Sequence, residues 1–336
     1  MNYHHQVQAK YFQVTMKLPS LYLRPSLLMA SLVIQLITVV VASGGGSGTT
    51  SSTAAAAAAP TKKYNAMFTF GDSMDETGNI CVGSSNKTEL NVLTCTHPPY
   101  GETYFGRPSC RWCDGRVVVD FVGCKGYVRK SLFMFGAYGG NDYNVQLLER
   151  GLTPEQAMNY TPKIVGAIAN GVVKLIALGA VHVVVPGIFP TGCLPIFLSL
   201  FGDGDADLDD AGCLKAYNLL TKYHNSMLRK QVEALQRRHR NSTRLMYADY
   251  YGLVYQMVQE PHKFGFSAPF EACCGAGGGK YNFDLSARCG MDGATVACRD
   301  SSARLSWDGI HPTEAANKVI AGALLRGPYC TPPILS

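Results

Sequence analysis

One pattern constrains the fold of this chain more than any other. A short apolar run stopped by a glycine turn recurs, and amphipathic stretches at helical spacing lie between the runs. Ala66-Met67-Phe68-Thr69-Phe70 stops at Gly71-Asp72-Ser73, and Leu132-Phe133-Met134-Phe135 stops at Gly139-Gly140-Asn141-Asp142. Val181-His182-Val183-Val184-Val185 closes at Pro186-Gly187, and Leu245-Met246-Tyr247-Ala248 is a fourth run. Runs this short, bounded by turn residues, read as buried strands. Thr161-Pro162 offers a capping Thr and a Pro at the first helical position. Ile164, Ile168, Val172, Leu175 and Ile176 follow at helical spacing, and Gly179 ends the run. Asp114 is placed to cap a helix carrying Val117, Val118, Phe121 and Val122. A long amphipathic helix covers about 214–240, and Thr313 starts a last one running to about Leu325. Strands alternating with helices predict an α/β fold whose parallel sheet is covered on both faces. Sites in such folds lie at the carboxyl ends of the strands, where Ser73 and Asn141 both stand.

The amino end predicts export. Residues 27–42 carry no charge, follow Lys17 and Arg24, and finish on Val40 and Ala42, a small-residue pattern suited to signal peptidase. The run is shorter than the ~20 residues of a membrane span. The expectation is a cleaved signal over residues 1–42, the alternative a retained signal anchor. Residues 43–62 are Gly, Ser, Thr and Ala ending near Pro60, a tether with no core of its own, and the folded domain covers 63–336. All 12 cysteines lie beyond Ala42, which suits disulfides in an oxidising compartment, and sequence leaves their pairing open. Cys110-x-x-Cys113 has no second Cys or His pair nearby at zinc-finger spacing, so a structural disulfide role is expected. Asn86, Asn159 and Asn241 each open a glycosylation triplet. Of the net charge of +6, half comes from Lys10, Lys17 and Arg24 in the leader. The remainder is too balanced for a nucleic-acid partner, and membrane association is expected only if the signal segment is retained.

Hydrolysis of an ester by serine needs a nucleophile, a base, a group that orients the base, and donors for the oxyanion. Ser73 sits in a glycine turn after a strand, and Asp308 and His311 stand three residues apart near the carboxyl end. Asn141 follows a second strand. Each feature alone is a common turn or loop; together and in this order they fill all four roles. No Gly-x-Ser-x-Gly elbow occurs, which argues against the ordinary α/β-hydrolase fold.

From about Tyr64 to Tyr329 the chain resembles the plant GDSL (SGNH-type) esterases and lipases. The resemblance rests on Phe70-Gly71-Asp72-Ser73-Met74-Asp75-Glu76-Thr77-Gly78-Asn79, on Pro98-Pro99-Tyr100-Gly101-Glu102-Thr103-Tyr104-Phe105-Gly106-Arg107-Pro108, and on Asp114-Gly115-Arg116 through Phe121. It continues in Ser131-Leu132-Phe133, Gly139-Gly140-Asn141-Asp142-Tyr143, Thr191-Gly192-Cys193-Leu194-Pro195 and Cys273-Cys274-Gly275. It ends in Trp307-Asp308-Gly309-Ile310-His311-Pro312-Thr313. The resemblance implies a three-layer α/β/α, flavodoxin-like fold and carboxylic-ester hydrolysis with neither metal nor cofactor. It makes Ser73 the nucleophile, His311 the base and Asp308 its partner, with Asn141 and the Ser73 N–H as oxyanion donors. The implied substrate is a small-molecule, lipid or cell-wall ester of unspecified acyl and alcohol parts, and the two Trp give no clear carbohydrate platform.

Two departures stand out. Glu76 replaces the family's usual Asp, a mild change. The family also has a long segment between the Asp-Gly-Arg helix and the Ser-Leu-Phe strand, with a strand, a helix and a glycine whose N–H is a third oxyanion donor. Here residues 123–130 are all that separate Val122 from Ser131, too few for a parallel crossover. No other glycine takes that role. The missing strand would be an edge strand, so the sheet closes up without an internal gap and leaves the first strand as its border. The leading expectation is therefore a secreted serine esterase, or a shortened relative of one. The rivals are an impaired isoform acting as a non-catalytic binding protein, and a sequence lacking an internal exon.

Overall fold

The computed structural model describes residues 66–336 except 79, 82–89, 92, 123–130, 203–206 and 277. The leader, the tether, Asn86 and the short junction after Val122 thus lie outside the described residues.

Five strands form one sheet: β1 (Ala66–Phe70), β2 (Ser131–Phe135), β3 (His182–Pro186), β4 (Arg244–Ala248) and β5 (Cys330–Thr331). They lie in chain order, and β1 to β4 are mutually parallel. The anticipated parallel sheet needs one correction, because β5 adds a two-residue antiparallel border on β4. Its sequence, Cys330-Thr331 among prolines, is too short to show a strand pattern. Among the described residues β1 pairs only with β2, from Ala66↔Ser131 to Phe70↔Phe135.

The helices that matter here are α1 (Val118–Val122), α2 (Gly140–Asn144), α3 (Thr161–Ala177), α4 (Lys215–His239), α5 (Tyr250–Gln259) and α6 (Glu314–Arg326). Successive side chains of a strand point to opposite faces, and both faces here are apolar. Leu132, Met134, Val184 and Met246 pack with Val118 of α1, Leu253 and Met257 of α5, and Ile320 and Leu324 of α6. Phe133, Val183, Val185, Leu245 and Tyr247 pack with Val165, Ile168 and Val172 of α3 and with Leu228 and Val232 of α4. The result is three layers, helix on sheet on helix. On the β1 border, Phe68 stacks on Phe133 at 5.2 Å and Phe70 meets Phe135 at 6.1 Å.

Two capping expectations are corrected. Tyr160, not Thr161, is the residue flanking α3. The Thr161 hydroxyl is buried against the Tyr143 hydroxyl at 2.7 Å, where a tertiary partner outcompetes the local backbone. Asp114 does not cap the helix that follows it. Its Oδ1 accepts from the Glu314 N–H at the start of α6 (2.7 Å) and its Oδ2 from the Thr103 hydroxyl (2.7 Å). Asp120 takes the local role, accepting from the Val117 N–H at 3.0 Å while paired with Arg111. Thr313 caps α6 as expected, accepting from the Ala316 N–H at 3.2 Å.

Four disulfides occur among the described residues: Cys81–Cys110, Cys193–Cys213, Cys273–Cys298 and Cys274–Cys289. Cys110 therefore does not pair with Cys113, which is buried as a free thiol beside the Gly115 carbonyl. The last two bridges join a buried cluster with Tyr100 and Trp307.

Candidate active site

Ser73 lies three residues beyond Phe70, at the carboxyl end of β1. The turn that carries it is built by its neighbours. Asp72 Oδ1 accepts from the Met74 N–H at 3.0 Å, and the Asp72 carbonyl accepts from the Asp75 N–H at 3.1 Å. Glu76 accepts from the Gly78 and Ile80 N–H groups at 2.6 and 3.3 Å. Gly71 is required by close approach. A Cβ there would lie 2.3 Å from Asp75 Oδ2 and 2.5 Å from the Gly136 carbonyl oxygen.

The loop before α6 supplies the other two groups. Asp308 and His311 are 7% and 6% exposed. Asp308 Oδ1 accepts from the Ile310 and His311 N–H groups at 3.0 and 2.9 Å, an Asx-type turn that fixes the loop. His311 Nδ1 is 2.7 Å from Asp308 Oδ2, and His311 Nε2 is 2.7 Å from Ser73 Oγ. A proton on Nδ1 fits this series, leaving Nε2 to accept from the serine hydroxyl. Burial pushes the Asp308 carboxyl up. The charge of His311, the hydrogen bonds from His311 and that from Tyr100 outweigh it and hold the group below its ordinary value.

Asn141 is the second residue of α2, beyond the carboxyl end of β2, the strand paired with β1. Its side chain is exposed, and its Oδ1 is 3.5 Å from Asn144 Nδ2. The structure thus brings Ser73, His311 and Asp308 into one hydrogen-bonded series and places Asn141 at the end of the adjoining strand, outside that series. The loop bearing Asn141 rests on a buried polar cluster. The Tyr143 hydroxyl is 3.0 Å from His224 Nδ1, and burial lowers His224 to about 4. The His224 ring occupies the space beside Gly139, whose φ is 115° and whose added Cβ would meet Cε1 at 2.7 Å.

Sequence reasoning missed three residues here. The Tyr100 hydroxyl donates to Asp308 Oδ2 at 2.8 Å. The Trp112 ring lies 5.4 Å from the His311 imidazole, tilted by 33°. Trp307 is buried edge-on to Tyr100 at 5.7 Å. The available signal for Tyr100 and Trp307 was their placement within the matched blocks, and Trp112, between two blocks, had none. Among the described residues no three His, Cys, Asp or Glu side chains gather as a metal site, and no helix is long and apolar enough to cross a membrane.

A serine, an imidazole and a buried carboxylate in series, at the carboxyl ends of a mostly parallel sheet between two helical layers, make the class legible: a hydrolase of carboxylic esters on a three-layer α/β/α frame. The chain belongs to the GDSL-like lipase/acylhydrolase family, whose model matches residues 125–324, the stretch that holds Asn141, Asp308 and His311. It is 31% identical to the GDSL esterase/lipase At1g28600 of Arabidopsis thaliana, over 82% of this chain and 87% of that protein. It is 32% identical to At5g45910 of the same plant, over 81% and 93%. It is 30% identical to the sinapine esterase of Brassica napus, over 81% and 87%. The first of these alignments runs over 348 positions, more than the 336 residues this chain possesses.

Asp75, in the turn that carries Ser73, is a buried carboxyl. It is 6% exposed, and the Thr69 hydroxyl is the side-chain group that favours its charged form. Burial, then the negative charge of Asp72, raises it well above the ordinary carboxyl value. A carboxyl raised in the folded state favours folding in acid and opposes it increasingly as pH climbs past the unfolded value. Asp75→Asn is therefore expected to equal the parent in thermal stability near pH 4 and to exceed it by pH 8. The gain is about 1.4 kcal/mol for each unit of pH over which the parent carboxyl resists ionisation. Parallel melting curves of the two proteins across this range check it, and a constant difference contradicts it.

Proposed function

We propose that this chain is a secreted serine esterase in which Ser73 is the nucleophile, His311 the general base and Asp308 its orienting partner. The observation that carries the reading is the unbroken 2.7 Å–2.7 Å series from Ser73 Oγ through the imidazole to Asp308. Ser73 Oγ attacks the ester carbonyl as His311 Nε2 takes its proton. The tetrahedral oxyanion is met by the Ser73 N–H and the Asn141 side chain. The C–O bond to the alcohol breaks, His311 returns the proton to the departing oxygen, and an acyl-Ser73 remains. Water, deprotonated by the same imidazole, then attacks the acyl carbonyl, the bond from the acyl carbon to Ser73 Oγ breaks, and the imidazole returns the proton to Oγ as the acid leaves. The substrate is a small-molecule, lipid or cell-wall ester, and the relative named sinapine esterase supports the small-molecule end of that range.

On an aryl ester, Ser73→Ala and His311→Ala are expected to lower turnover by at least a thousandfold, as loss of a triad member does. Asp308→Asn is expected to be strongly impaired. Undiminished turnover by Ser73→Ala removes the assignment.

Export is supported by the apolar leader, by the four disulfides and by exposed Asn159 and Asn241. In this reading residues 1–42 are removed, 43–62 are a tether and one hydrolase domain follows from residue 63. Expressed in a secretory host, the protein is expected to carry glycan mass that an amidase removes, and unglycosylated product held in the cytosol contradicts export.

Two observations support an internally shortened chain. The alignment with At1g28600 contains positions that the relative fills and this chain does not, and the family model begins at Lys125, inside the short junction. Loss of an oxyanion donor costs on the order of a hundred- to a thousandfold in turnover. Grafting the corresponding segment of a full-length relative between Val122 and Ser131 is expected to recover about that factor and to improve solubility. Equal turnover and equal solubility of the two proteins refute the shortening as a functional loss.

A further inference from the structure

We propose that Tyr100 is a positioning residue for the Asp308–His311 pair: its phenol holds the carboxylate oxygen that faces the imidazole, and its loop delivers Trp112 onto the imidazole itself. This rests on the hydrolytic reading of the same site.

The four donors around Asp308 divide evenly. Oδ1 is taken by the Ile310 and His311 N–H groups, both from its own loop. Oδ2 is shared by His311 Nδ1 at 2.7 Å and the Tyr100 hydroxyl at 2.8 Å. Among the described residues Tyr100 is thus the one of these donors to Asp308 that comes from outside its loop, and it binds the oxygen that faces His311. Without it, a buried lone pair of a charged oxygen goes unfilled, which is costly, and the carboxylate is free to turn about its own axis.

The phenol is itself held. Tyr100 is 2% exposed, edge-on to Trp307 at 5.7 Å and to Trp112 at 6.1 Å. Its hydroxyl accepts from the Thr94 hydroxyl at 3.5 Å, so its own proton points at Asp308. The Gly101 N–H donates to the Cys113 carbonyl at 3.0 Å, tying the Tyr100 segment to that of Trp112. The Cys81–Cys110 bridge adjoins that segment. One pair of joined segments therefore presents the phenol to the carboxylate and the indole to the imidazole, 5.4 Å between ring centres.

The titratable groups around Asp308 are few. His311 faces it from its own loop and Tyr100 from the other side. The Cys95 thiol lies within the field of both Glu76 and Asp308, and is pushed up to about 12 by burial first and those charges next, so it stays neutral. Asp72 lies beyond, within the field of His311. A hydrogen bond to the charged form favours it, and Tyr100 supplies one of those that keep Asp308 ionised.

Tyr100→Phe in the full chain removes one oxygen and keeps the ring. On an aryl ester, kcat is expected to fall about tenfold, the scale of one hydrogen bond to a buried charge, with KM unchanged. The acid limb of the kcat profile, which belongs to the pair, is expected to move to higher pH. A rise in KM alone, or an acid limb that stays in place, overturns the proposal. If the Phe variant does not fold, 3-fluorotyrosine at position 100 preserves the packing and, as the stronger donor, moves the acid limb to lower pH; an unmoved or opposite limb overturns it. Full turnover by Ser73→Ala is a different outcome, which removes the hydrolytic reading. The positioning role is then read without turnover, from the downfield proton resonance of the His311–Asp308 hydrogen bond. Displacement of that resonance in Tyr100→Phe upholds the proposal, and an unchanged resonance rejects it.

Discussion

A carboxylate can be buried under an imidazole only if donors fill its oxygens, and this requirement organises the molecule around Asp308. Two of its donors are backbone N–H groups of its own loop, which gives the loop its shape. The third is the imidazole it orients, and the fourth comes from a segment about two hundred residues earlier. Stability and chemistry meet at one atom, Oδ2. The charge is desolvated by nearly complete burial, and the same burial strengthens each bond that offsets the cost.

The sheet makes this meeting possible. Parallel strands send all their carboxyl ends to one side, so residues far apart in sequence share one rim. Phe70 and Phe135 are register partners, and the turns beyond them carry Ser73 and Asn141. The opposite half of the site hangs from α6, whose first N–H is held by Asp114. Glu314 in turn binds the Arg116 backbone and guanidinium, so the Asp-Gly-Arg stretch clamps the helix that follows His311. Apolar packing sets the layers, while these few polar clasps set how far one rim group lies from another.

Periodic apolar runs made the first four strands and the long helices readable, because burial on both faces leaves a dense signal in sequence. Ser73, Asp308 and His311 were readable because a strand end and an Asp-x-x-His loop are local patterns. Tyr100 and Trp112 were not, since nothing local distinguishes a tyrosine that donates to a distant carboxylate from one that fills a core. Thr161 and Asp114 misled for the same reason. Each looks like a helix cap in one dimension, and each spends its side chain on a partner distant in sequence, Tyr143 or Glu314. β5 left no pattern because two residues are too few to carry one. The cysteines show the limit most clearly: Cys110 and Cys113 are neighbours in sequence, yet one is bridged to Cys81 and the other is free.

The distribution of the series along the chain also sets an order of events during synthesis. Ser73 belongs to the first described strand and its turn, whereas Asp308 and His311 lie within the last thirty residues. A growing chain emerging amino end first therefore presents Ser73 long before His311, the imidazole that contacts it, has been made. A ribosome that stalls short of residue 308, or a protease that removes the chain from that loop onward, leaves a protein with most of its sheet and no imidazole beside Ser73. The hydroxyl of Ser73 gains its imidazole partner only when the loop of His311 arrives and Asp114 catches the start of α6 behind it.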